Sequence, residues 1–142
     1  MGELLLKKAL RLRERIDALR QALAHEPDVA RAVTIDPRLE AFLAFNLFLA
    51  IQDAVDLAAH LVSDRGLAIP ASQREAFETL VKAGMITAET GLAMGAMASL
   101  RNRIAHSYGE LDVARLVSEM PAGLDHLERF LGEITPALVA TA

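Results

Sequence analysis

The sequence predicts an all-α protein, a bundle of about five helices, and three observations carry that prediction. Apolar residues make up 53% of the chain but Phe, Trp and Tyr only 4%, so the core is built mainly from Leu, Ala and Val, which suits helix–helix packing better than strands. Apolar positions recur at alternating spacings of three and four, the period of a helix with one buried face. The segments that carry this period are short-connected and bounded by their own start and stop signals. At 142 residues the chain is long enough for one core and short for two, so a single domain over 1–142 is expected.

In the first segment Leu5, Ala9, Leu12, Ile16, Leu19 and Leu23 line one face, and Lys7, Lys8, Arg11, Glu14, Arg15 and Asp17 fall between them, predicting an amphipathic helix over 3–24. Residues 25–36, "HEPDVARAVTID", hold a proline and little periodicity, and read as a loop or short turn. Asp36 followed by Pro37 is a helix start, with an N-cap and a proline at the first helical position, and Arg65–Gly66 is a stop. Between them lies a helix of about 28 residues. Its first half, "LEAFLAFNLFLAI", is apolar almost all round, as in a helix that is central to a bundle or shared with a second subunit; a homodimer is the favoured reading.

Ser72 with Glu75 three residues on makes a capping box for a short helix that ends near Gly84. A fourth helix follows Thr87 and runs through Met94, Met97 and Leu100; Asp112 caps a fifth over 113–135, kinked or split by Pro121.

Composition removes several function classes. With no cysteine, disulfides, thiolate metal sites and cysteine nucleophiles are excluded. No window of about 18 residues lacks charge and no signal peptide opens the chain, so a cytoplasmic protein without a membrane span is expected. A net charge of −4 argues against nonspecific coating of nucleic acid, so any such contact is local.

The polar chemistry is concentrated in "LRNRIAHSYGELD", residues 100–112. On a helical wheel Ala93, Met97, Leu100, Ile104 and Leu111 form one apolar arc, with His106 and Asn102 nearly opposite. Tyr108 falls seven residues after Arg101, on the same stripe if the helix extends that far. Taken singly, Arg101 reads as a solvated charge, Tyr108 as a packing residue and a histidine as a hydrogen-bonded core residue, except that His106 points away from its own core. Together they set a permanent cation, an imidazole and a phenol within two helical turns, a combination that suits a phosphate ester. An imidazole of ordinary pKa, about 6.5, can take the proton of a 2′-hydroxyl or protonate the leaving oxygen, while a guanidinium holds the charge developing on the phosphoryl oxygens. RNA cleavage needing neither metal nor cofactor is the chemistry this suggests. It wants an acid and a base, and a twofold dimer would supply both by pairing two copies of the motif.

These residues resemble the R-x4-H-x-Y motif of the HepT family, the HEPN-type ribonuclease toxins of HepT–MntA toxin–antitoxin systems: here Arg101, "NRIA", His106, Ser107 and Tyr108. The segments "AIQDAVDLAAHL" at 50–61, "PASQREAFETLVKAGMI" at 70–86 and "GELD" at 109–112 resemble that family's in the same order, and the resemblance covers roughly 37–135. It implies a homodimeric, metal-independent endoribonuclease toxin of a type VII-like system. Arg101 and His106 would be its catalytic residues and Asn102 a supporting one, and its partner an MntA-type nucleotidyltransferase antitoxin that transfers AMP from ATP to Tyr108. Nucleotides on Tyr108 would place bulk and negative charge where the RNA phosphate must sit. The chain departs from the pattern at Ser107, where glycine is frequent, at Leu100, where an aromatic is frequent, and at "SQRE", which has lost an aromatic beside the serine.

Asp53, Asp56 and His60 share a face of the second long helix. No Glu-x-x-His accompanies them, so metal binding is the weaker reading; Asp53 and Asp56 are expected either to face the dimer cleft and orient Arg101 or His106, or to be solvated surface. The cluster Lys7, Lys8, Arg11, Arg13 and Arg15 is a wet helix face or an RNA-tracking surface. Two rival functions share the fold. One is a non-catalytic helical partner or nucleotide-binding subunit of a nucleotidyltransferase; the other is a structural helical dimer, which leaves Arg101, His106 and Tyr108 without a role.

Overall fold

The computed structural model describes residues 2–141, and among them there are six α-helices and no strand. The helices are α1 (Gly2–Ala24), α2 (Val29–Ile35), α3 (Pro37–Asp64), α4 (Gln73–Lys82), α5 (Ala88–Ser107) and α6 (Val113–Thr141), with a 3₁₀ turn over Tyr108–Glu110 after α5. All six contribute to one cluster of buried apolar side chains. Within it α3 is the hub, packed against every other helix, while α4 lies along α5 and α2 is clasped between α3 and α6.

Most boundaries are written into local hydrogen bonds. The Asp36 carboxylate accepts from the Arg38 and Leu39 amides, with Pro37 at the first helical position of α3. At its other end Gly66, at φ +64°, donates to the Ser63 carbonyl while Leu67 donates to that of Val62, the paired bonds of a glycine-terminated helix. Gly84, at φ +76°, closes α4 in the same way, with Met85 donating to the Leu80 carbonyl. Ser72 accepts from the Glu75 amide as a capping box requires, but the Glu75 carboxylate turns to the amide of Ala71, one residue further upstream than the standard pattern.

Two expectations are corrected. The stretch 25–36 is not a loop throughout: Val29–Ile35 is helical, capped by Asp28 and anchored by the buried Val33. Two helical turns with one core anchor are too short to display a period. Similarly, α6 is not split at Pro121 and does not stop at 135; it runs to Thr141 with both Pro121 and Pro136 inside it. An internal proline costs about 3 kcal/mol of helix stability. Burial of Val117, Met120, Leu124, Leu127, Phe130, Ile134 and Leu138 along one continuous face offsets that cost.

α5 is held firmly at its start. The Glu133 carboxylate of α6 accepts from the Thr87 amide at 2.7 Å and the Thr90 hydroxyl at 2.6 Å, while Thr87 caps the helix through the Thr90 amide. α4 crosses so closely here that a Cβ on Gly91 would collide with the Val81 side chain. The other end of α5, which carries the motif, is left at the surface.

α3 is long and apolar enough to cross a bilayer, and more than half of its apolar window is covered by the other helices.

Candidate functional site

The C-terminal half of α5 presents Arg101, Asn102 and His106, and the 3₁₀ turn that follows presents Tyr108. Ile104 is buried and Leu100 half-buried, so the helix faces its core through these two and turns Asn102 and His106 outward, as the wheel predicts. The helix does not extend to Tyr108. Ser107, at φ −138° and ψ 31°, ends it, and Tyr108 swings toward the start of α3.

Arg101 is half-buried, with its guanidinium carbon 4.9 Å from the centre of the Phe48 ring on α3, a cation–π contact. One terminal nitrogen donates to Asn102 Oδ1 at 3.0 Å, and Nε is enclosed with no hydrogen-bond partner. Among the described residues no carboxylate pairs with it, in contrast to Arg13, Arg15, Arg20, Arg115 and Arg129. A cation oriented by an aromatic face and an amide, without an acid to neutralise it, is poised to hold an anion.

Tyr108 lies at the rim of a shallow groove of about 410 Å³ between α3 and the end of α5, lined also by Pro37, Glu40, Ala41, Ala44, Phe45 and Ile104. Its hydroxyl donates to Glu40 Oε1 at 2.7 Å. Burial, reinforced by the Glu40 carboxylate, pushes the phenol up to about 12. Phe45 stacks on Phe48 with ring centres 6.3 Å apart, so an aromatic pair runs from the groove at Tyr108 to the guanidinium of Arg101. Phe42 and Phe45 are 43% and 60% exposed; with the half-buried Leu49 they form an apolar stripe beside the motif.

The acids on α3 lie elsewhere. Asp53 is buried and accepts from Arg15 Nε at 2.8 Å, while Asp56 sits 3.7 Å from Lys8 Nζ and accepts from Gln52. Burial raises the Asp53 carboxyl, and Arg15 opposes that rise. Within the chain both carboxylates are therefore occupied by α1 and α3 groups, and neither reaches Arg101 or His106. The reason is helical phase: Phe48 and Asp53, five residues apart, project from different sides of α3. Among the described residues no three His, Asp or Glu side chains gather in a way that could hold a metal ion, so Asp53, Asp56 and His60 share a helix face without converging. The α1 cations are likewise engaged, Lys8 and Arg15 with α3 and Arg13 with Glu128 of α6, which makes much of that stripe an interhelical seam.

Two contributors escaped the sequence reading: Glu40, the partner of Tyr108, and Phe48, the support of Arg101. Glu40 looks like an ordinary first-turn acid and Phe48 like one more apolar residue of α3. Nothing local marks either.

A six-helix bundle that sets an arginine with no carboxylate partner, an exposed histidine and a hydrogen-bonded tyrosine at one helix end has the groups to hold an anion there. Residues 11–134 match the family described as ribonuclease HepT-like, and the chain belongs to that family. It is 25% identical over 134 residues to the mRNA nuclease HepT of Shewanella oneidensis, an alignment that spans 94% of this chain and 98% of that protein. Its fold matches that of the tri-AMPylated Shewanella oneidensis HEPN toxin in complex with MNT antitoxin, with a TM-score of 0.84, 24% identity, and 96% of this chain and 99% of the other covered. A toxin–antitoxin structure with AMP-PNP is similar at a TM-score of 0.83, 24% identity and coverage of 95% and 100%.

Proposed function

We propose that the chain is a metal-independent endoribonuclease toxin, active as a homodimer and neutralised by an MntA-type nucleotidyltransferase that adds AMP to Tyr108. What carries the reading is Arg101: a cation set on Phe48 and Asn102 with no carboxylate beside it, on the same helix as an outward-facing His106. In the cleavage step a 2′-hydroxyl attacks the adjacent phosphorus and the 5′-oxygen leaves. One imidazole removes the hydroxyl proton, a second protonates the leaving oxygen, and guanidinium groups stabilise the equatorial oxygens.

Two copies of His106 are required for this division of labour, and the Phe42, Phe45 and Leu49 stripe is where the second subunit docks. Asn102 supports the site by orienting Arg101. Within one chain Asp53 and Asp56 are engaged by Arg15 and Lys8 of α1, so any supporting role for them is exercised toward the partner's motif across the dimer cleft. A nucleotide on Tyr108 fills the groove beside Phe45 and brings negative charge toward Arg101, which excludes the RNA phosphate. The setting is the bacterial cytoplasm, where both RNA and ATP are present.

The test is cleavage of total RNA in EDTA by the chain purified without its partner. Discrete fragments from wild type, reduced about 100-fold or more in His106→Ala, are expected. An unmodified wild-type dimer that leaves RNA intact would turn the assignment toward a non-catalytic nucleotide-binding subunit.

A further inference from the structure

We propose that Glu40 is the proton acceptor for modification of Tyr108: its carboxylate takes the phenolic proton as the tyrosine oxygen attacks the nucleoside triphosphate. The inference rests on the reading of Tyr108 as the AMP acceptor and adds to it a residue from a different helix.

The geometry is direct. Tyr108 Oη, the atom that must become the nucleophile, is 2.7 Å from Glu40 Oε1 and donates its proton along that line. Glu40 is held rigidly in the first turn of α3, where its amide bonds the Asp36 carbonyl and Pro37 presets the backbone. Tyr108 and Glu40 both line the open groove of about 410 Å³, which leaves room beside the phenol for an incoming group.

The chemistry requires such a group. A phenol pushed up to about 12 is almost wholly protonated near neutral pH, so its oxygen attacks phosphorus effectively only if the proton leaves during the attack. In the balanced step the Tyr108 oxygen forms a bond to the α-phosphorus of ATP while the bond from that phosphorus to the bridging oxygen of the β-phosphate breaks. Pyrophosphate departs with the electron pair, and the phenolic proton passes to Glu40 Oε1 and then to water. The carboxylate that accepts the phenol's hydrogen bond at rest thereby removes its proton when the electrophile arrives.

The experiment follows AMP-sized mass additions over time on the purified chain, supplied with ATP, Mg²⁺ and an MntA-type nucleotidyltransferase. Glu40→Gln keeps an acceptor oxygen but cannot take a proton, and its initial rate is expected to fall about 100-fold. Glu40→Ala is expected to be equally slow and to recover in part with added formate, a small carboxylate able to enter the vacated space. Glu40→Asp, which retains the carboxylate, guards against loss of folding and should be faster than Glu40→Gln. A Glu40→Gln rate within about threefold of wild type, with Tyr108→Phe blank, would overturn the proton-transfer role and leave AMP transfer standing. A slow Glu40→Ala that formate leaves slow would reduce Glu40 to a positioning residue and overturn the step as well. Absence of adducts on wild type, or adducts that persist in Tyr108→Phe, would instead sink the reading of Tyr108 and this inference with it.

Discussion

The two halves of α3 are both rich in apolar residues and opposite in fate. From Ala50 to Val62 the helix is enclosed: Ala50, Ile51, Ala54, Leu57, Ala58 and Leu61 are fully buried, and even Asp53 is covered and paired. From Leu39 to Leu49 one side is equally buried through Leu43, Ala44 and Leu47, but the other carries Phe42 and Phe45 into solvent beside Arg101 and Tyr108. The first arrangement stabilises the monomer. The second leaves large aromatic surface uncovered, which contributes little to folding and is available to a partner. Apolarity alone does not distinguish a core from an interface; what packs against it does.

Substitutions can separate the halves by what they damage. The largest loss of folding stability is expected in the enclosed half, where Leu57→Ala should cost about 2–5 kcal/mol in denaturant unfolding, through lost burial and the cavity left behind. In the open half, Phe45→Asp should leave monomer stability within about 0.5 kcal/mol, yet weaken self-association by about 2 kcal/mol or more, read as a shift from dimer to monomer mass in light scattering. A Phe45→Asp protein that unfolds like Leu57→Ala would show that both halves are core. Arg101→Lys keeps the charge but loses the planar stack on Phe48; RNA cleavage should fall about tenfold or more while the melting temperature changes little.

A further prediction concerns Tyr108. Its phenol is raised on folding, so the protonated form is favoured in the native state, and the resulting stability is complete below pH 10 and lost as pH rises from 10 to about 12. Wild type should therefore lose its advantage over Tyr108→Phe across that window, in parallel urea titrations. A constant difference through pH 12 would mean that neither burial nor the Glu40 carboxylate raises the phenol.

Local signals were legible wherever their partners lie within a few residues. Asp36, Ser72, Thr87 and Asp112 each accept from an amide two or three positions ahead, and all four helix starts could be read from residue type and position. Gly66 and Gly84 marked helix ends because a left-handed residue there needs no Cβ. The outward placement of His106 and Asn102 followed from a 100° increment. Where the periodic signal was short or contradicted, the reading failed. α2 has one buried anchor, and α6 overrides two prolines because its buried face outweighs their local cost. The intrachain partners of Asp53 and Asp56, Arg15 and Lys8 on α1, could not be read from the sequence, because residues on one helix can be placed by phase, whereas the helix opposite them cannot.

The sequence by itself therefore determined five of the six helices, most of their limits and the stripe on α5 that carries Arg101, Asn102 and His106, since each depends on bonds and periods within a turn or two. Only the tertiary structure decided that Tyr108 meets Glu40 across 68 positions, that Arg15 claims Asp53 across 38, and that Phe48 lies beneath Arg101. Those pairings depend on how helices cross, and the crossings are set by the fit of many side chains at once, which no short segment encodes.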